Sequence, residues 1–142
     1  YNPAEDFIRF ATEPAVVDLE DDGKAEVIFG SWTQNGSGKA GKLYVVSWDG
    51  KLLQSLDLPY DAEDGRGGSL AAPTVADIDG DADLELVLGT INRGLVAYDI
   101  EGSAGARVLW ATGRGGYTRS GLAPTRTPAA DTPGLFLPLL RR

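Results

Sequence analysis

Five carboxylates crowd the stretch DIDGDADLE: Asp77, Asp79, Asp81, Asp83 and Glu85. Like charges this close repel at neutral pH, so a fold that gathers them needs either open solvent or a compensating cation. Counted from Asp77, carboxylates stand at positions 1, 3, 5 and 9 of the loop. That alternation lets their oxygens converge while the intervening residues turn outward. Position 7, Asp83, is placed to add its backbone carbonyl. The set amounts to roughly five protein oxygens, with water completing the six to eight that calcium takes. Magnesium prefers fewer carboxylates and keeps its waters. Transition metals want nitrogen or sulfur ligands, and the chain contains neither His nor Cys.

The loop has a twin. Residues 14–30 read PAVVDLEDDGKAEVIFG and residues 73–89 read PTVADIDGDADLELVLG, a constant 59 residues apart. Asp18, Glu20, Asp22 and Glu26 fill the same four ligand positions, and Lys24 stands at the carbonyl position. The ten candidate ligands are therefore Asp18, Glu20, Asp22, Lys24 and Glu26 in the first loop, with Asp77, Asp79, Asp81, Asp83 and Glu85 in the second. One acidic loop by itself reads as a solvated turn. Two loops with the same spacing and the same flanks read as two calcium sites, which would reduce the formal charge from its value of −8. An EF-hand is excluded, because it needs Glu at position 12 between two helices. Phe29 and Leu88 stand there instead, and the flanking runs read as strands.

The elements that position these loops are short β-strands. AVV and TVA precede the loops, EVIF and LELVLG follow them, and KLYVVSW and GLVAYDI come next, rich in β-branched and aromatic residues. Asp49-Gly50 and Glu101-Gly102 mark tight turns, and KLLQSLDL or ARVLWA supplies a fourth strand. Between the second and third strands the first copy has the longer loop, SWTQNGSGKAG against TINR. The expected fold is all-β: two four-stranded antiparallel units of the kind found in β-propeller blades, plus a partial third. The repeat period alone does not separate this from a sandwich of duplicated hairpins. The units run over residues 12–58 and 71–112, with a degenerate start at 113–125, where GRGGYTRSGLAPT echoes GRGGSLAAPT without a following acidic loop. Residues 126–142 form a Pro-rich tail whose apolar end, PGLFLPLL, is expected to add to a sheet edge or dock on a neighbouring unit. GRGG is read as turn glycine rather than a phosphate cradle, since no helix follows it.

DLEDDGKAEVIFG and DIDGDADLELVLG resemble the calcium loops of FG-GAP/VCBS repeats, the blades of integrin-α-like β-propellers. Asp77, Asp79, Gly80, Asp81, Glu85, Leu86 and Val87 follow that family's pattern, with Glu at the last ligand. The first copy follows it at Asp18, Asp22, Gly23 and Glu26, and departs with Glu20 at position 3 and Asp21 at the usual turn glycine. The resemblance spans about residues 12–110. It implies structural calcium at two sites, the second the better formed, in a propeller located outside the cell or on a bacterial cell surface.

Composition narrows the function. A net charge of −8 with scattered Lys and Arg offers no face for nucleic acid. Absent His and Cys remove the usual general base, Ser-His relays, disulfides and thiolate metal sites. No apolar run is long enough to span a bilayer. Trp48 and Trp110 are expected to pack between units, and Trp32, in the longer loop, is the better candidate of the three for an exposed contact. The expected activity is non-enzymatic: adhesion or assembly through protein contacts, in a calcium-stabilised module. The alternative is the C-terminal part of a calcium propeller lectin or of an enzyme acting on polysaccharide, with carbohydrate as the partner. A chain that starts Tyr1-Asn2-Pro3, with no Met, reads as a processed product or a segment of something longer. Propellers need at least four blades, so other chains or further blades are expected to complete the structure.

Overall fold

The computed structural model describes residues 10–33, 39–63 and 65–122, and the backbone of residues 140–141. The described residues form twelve strands and no helix. They are β1 (Phe10–Ala11), β2 (Ala15–Asp18), β3 (Glu26–Thr33), β4 (Lys42–Val46), β5 (Leu52–Asp57), β6 (Tyr60–Asp61), β7 (Arg66–Gly68), β8 (Thr74–Ala76), β9 (Leu84–Thr90), β10 (Gly94–Ile100), β11 (Arg107–Trp110) and β12 (Leu140–Arg141). All their pairings are antiparallel. The described residues are thus all-β, and among them no helix is long and apolar enough to cross a membrane.

The first unit forms the expected meander β2-β3-β4-β5. The Asp49-Gly50 turn joins its last two strands, with Gly50 in the left-handed region at φ 85° and its N–H donated to the Ser47 carbonyl at 2.9 Å. The second unit keeps the meander for three strands, β8-β9-β10. Its expected fourth strand goes elsewhere. The run ARVLWA supplies β11, which pairs with β2 of the first unit through Arg107–Asp18 and Val108–Val17. The open edge of β10 receives β12 instead, with Asp99 opposite Arg141 and Ile100 opposite Leu140. The end of the tail therefore adds to a sheet edge, as its apolar pattern implied; residues 123–139 lie outside the described residues.

GRGG at residues 65–68 is more than a turn: its last three residues form β7, which bridges β3 and β6. Gly68, at φ 103°, lies so close to the Ser31 carbonyl that any side chain there would collide with it. Trp32 belongs to β3 rather than to a loop and packs against Phe10 with ring centroids 5.6 Å apart. Trp48 is exposed rather than packed between the units, while Trp110 is half-buried on β11.

A single apolar cluster joins the two sheets: Ala15, Val17, Ile28, Leu43 and Val45 from the first, with Val75, Leu86, Leu88, Tyr98 and Ile100 from the second. Each large aliphatic side chain buried here contributes about 1.5–3 kcal/mol. Strand register shows which faces meet. Ala15 lies opposite Ile28, and Ile28 opposite Val45, so these share one face of the first sheet. Val75 lies opposite Leu86, and Leu86 opposite Tyr98, so these share one face of the second. The repeat equivalents of Val75, Leu86 and Leu88 in the first unit are Val16, Val27 and Phe29, which lie on its other face. The sheets therefore stack front to back, not related by a dyad that would bury like against like.

The counterparts of the covered residues confirm the phase. Leu43 is fully buried, whereas its equivalent Leu95 is 77% exposed. Leu19 is buried, whereas its equivalent Ile78 is 58% exposed.

Candidate metal centre

The two acidic loops share one backbone course. Positions 4 and 6 are left-handed in both: Asp21 at φ 51° and Gly23 at φ 86° in the first, Gly80 at φ 86° and Ala82 at φ 80° in the second. The glycine has changed position while the turn has not. Position 9 also behaves alike. Glu26 Oε2 accepts from the Leu19 N–H at 3.1 Å, and Glu85 Oε2 from the Ile78 N–H at 2.6 Å. Both glutamates are buried and tie the strand after the loop to the start of the loop. A second bond recurs at position 5, where Asp22 Oδ1 accepts from the Lys24 N–H at 2.8 Å and Asp81 Oδ1 from the Asp83 N–H at 2.9 Å.

In the second loop, Asp77, Asp79 and Glu85 each bring a carboxylate oxygen to within 4.8 Å of the others. Asp77 and Asp79 are exposed while Glu85 is buried, so the cluster has a wet side and a protein side. Backbone turns aim the exposed pair. Asp77 Oδ1 accepts from the Gly80 N–H at 2.7 Å and Asp79 Oδ1 from the Asp81 N–H at 3.2 Å. Asp81 and Asp83 are not in the cluster. Asp83 turns to the next turn, where its Oδ2 accepts from the Gly102 N–H at 3.1 Å. An all-oxygen, multiply anionic donor set with one open side fits a hard divalent cation.

The first loop brings its residues together differently. Asp18 is 0% exposed. Its Oδ1 accepts from the Asp22 N–H at 3.0 Å, and its Oδ2 accepts from the Gly23 N–H at 2.9 Å and from Arg107 Nη2 at 2.9 Å. Arg107 Nε also stands 3.9 Å from Asp21 Oδ1. Lys24 carries its ammonium to Asp22 Oδ2 at 2.9 Å, which holds the Asp22 carboxyl below the usual carboxylate range. Burial pushes the Glu26 carboxyl up; the Leu19 N–H opposes that, and the carboxylates of Glu20, Asp18 and Asp22 reinforce it. Glu20 stands half-buried within the loop.

Arg107 is the residue that the sequence reading missed. It lies 89 residues from Asp18 along the chain, and only the pairing of β11 with β2 brings the two together. One signal stands in the sequence: position 7 is Lys24 in the first loop and Asp83 in the second, a reversal of charge at an otherwise repeated site. No family model matches the chain, and neither a curated protein nor a solved structure matches it significantly.

Proposed function

We propose that this chain is a segment of a calcium-stabilised β-propeller, with a structural metal in the second acidic loop. The observation that carries this reading is the convergence of Asp77, Asp79 and Glu85 within 4.8 Å, on a loop whose backbone turns aim the first two carboxylates. Calcium there would supply a charge centre that offsets carboxylate repulsion and joins β8 to β9; binding only the folded form, it would stabilise that form.

Front-to-back stacking supports a propeller over a symmetric sandwich. Each unit offers one face to the next and the opposite face to the one before, so the arrangement extends by repetition. The uncovered face of the second sheet carries Leu95, Val87 and Ala97, equivalent to Leu43, Ile28 and Val45, which the second sheet covers in the first. The partner this face fits is a further unit of the same kind, in this protein or in another chain. The module's role is then adhesion or assembly through protein contacts outside the cell, where calcium is plentiful enough for sites of about 10⁻⁴–10⁻³ M affinity.

Calorimetric titration of the full chain with calcium, alongside an Asp79→Asn variant, tests the site. Binding that the substitution abolishes supports the reading, and a wild-type chain that binds no calcium at millimolar concentration sinks it. Probing the calcium-loaded chain on a carbohydrate array separates adhesion through protein contacts from a lectin role.

A further inference from the structure

We infer that the first acidic loop carries its own cation, the Arg107 guanidinium, and therefore takes up no metal ion in the native chain. The inference goes beyond the proposed calcium site, because it concerns the loop in which that site has no counterpart.

Three observations carry it. The loops are alike in backbone course and in their glutamate clamp, so a shared geometry cannot explain why their carboxylates differ. What differs is the strand beside them. In the first sheet, β11 lies outside β2 and sets Arg107 directly opposite Asp18, whereas β8 is the edge strand of its sheet, and the segment beside it, whose Ala111 carbonyl accepts from the Val75 N–H at 2.8 Å, brings no Lys or Arg to Asp77 among the described residues. The guanidinium reaches Asp18 Oδ2 at 2.9 Å and lies 3.9 Å from Asp21 Oδ1. Charge follows the same division. Arg107 and Lys24 both pair with first-loop carboxylates, while among the described residues no Lys or Arg pairs with a carboxylate of the second loop.

The chemistry of the donor set also changes. With both Asp18 oxygens engaged by N–H donors and the carboxylate sealed from solvent, a metal would have to displace a planar, permanently charged group already hydrogen-bonded there. Asp77, by contrast, faces water. The repeat thus preserves one loop architecture and neutralises it by two means: an internal cation where a strand can deliver one, and an external cation where none can.

The test is metal stoichiometry on the full chain, read by calcium calorimetry and by terbium luminescence, in wild type, Asp79→Asn and Arg107→Gln. The expected result is one ion in wild type, none in Asp79→Asn, and one more than wild type in Arg107→Gln. Two ions in wild type would overturn the inference, as would a single ion that survives Asp79→Asn. A wild-type chain that binds none, with Arg107→Gln gaining one, upholds the inference while removing the second-loop site. A folded Arg107→Gln that gains nothing overturns it. If that variant folds only in millimolar calcium, the dependence itself supports the inference; if it does not fold at all, the wild-type and Asp79→Asn titrations decide.

Discussion

Replacing Arg107 by Met keeps the apolar stem and deletes the charge, which leaves the Asp18 carboxylate buried with two backbone N–H donors as its hydrogen-bond partners. Breaking a buried ion pair from one side typically costs 3–5 kcal/mol. Here the arginine side chain is 25% exposed, so water already screens part of the pair and the cost falls at the lower end, about 3 kcal/mol. Asp18→Asn in the same background removes the stranded charge but turns an amide NH₂ towards one of the two backbone N–H groups. That mismatch costs about 1–3 kcal/mol, so the double variant recovers only part of the loss, and the cycle should show a coupling energy within the roughly 0.5–3 kcal/mol found for residues in contact. Urea denaturation in chelator reads all four proteins without metal. With a slope of about 1–3 kcal/mol per molar urea, Arg107→Met should lower the midpoint by roughly 1–3 M. A variant within about 0.5 kcal/mol of wild type, the ordinary range for a surface change, would show that the ion pair is incidental and refute the reasoning.

Three further outcomes are expected. Ala82 sits at φ 80°, a conformation costly for a residue with Cβ, so Ala82→Gly should raise stability by about 0.5–1 kcal/mol in chelator, measured as a shift in urea midpoint. The raised Glu26 carboxyl means that the folded state holds its proton more tightly than the unfolded state. Its contribution is fully present below the ordinary glutamate pKa and is lost as pH rises through the raised value. Glu26→Gln keeps an acceptor for the Leu19 N–H, so it should exceed wild type in stability at pH 7, with the gap closing near about pH 4; urea midpoints at the two pH values check this. Finally, 10 mM calcium acting at one site of about 10⁻⁴–10⁻³ M affinity should stabilise the chain by about 1.4–2.7 kcal/mol. For a domain of this size that is a Tm rise of about 5–10 °C, absent in Asp79→Asn and measurable by calorimetric scanning.

Much of the site was legible in the sequence because it is local. The repeated spacing from Asp18 to Glu26 and from Asp77 to Glu85 specifies two similar turns, and the glutamate clamp follows from that spacing. The meander of the first unit was equally legible, since its strands are separated by recognisable turns. Partner choice between distant strands was not. The run around Val108 has β-propensity on any sheet, and nothing within it specifies β2 over β10 as its neighbour. Gly-rich sequence closely following Trp32 reads as a loop, yet pairing with Phe10 and Gly68 on neighbouring strands carries β3 on to Thr33. Trp48, apolar by type, sits beyond the last residue of β4, next to the Asp49-Gly50 turn. That placement, not its hydrophobicity, leaves it in water.

The pairing of β11 with β2 has a consequence in time. Asp18 emerges well before its strand partner, which is 89 residues further on, so loop-closure entropy must be met before this contact forms. Until the second unit is made, β2 presents a bare backbone edge, open to pairing with other chains. Completion of the first sheet therefore waits for the second unit, and high contact order makes that step slow. A cut between the units would strip the first sheet of β11 and leave Asp18 without its arginine.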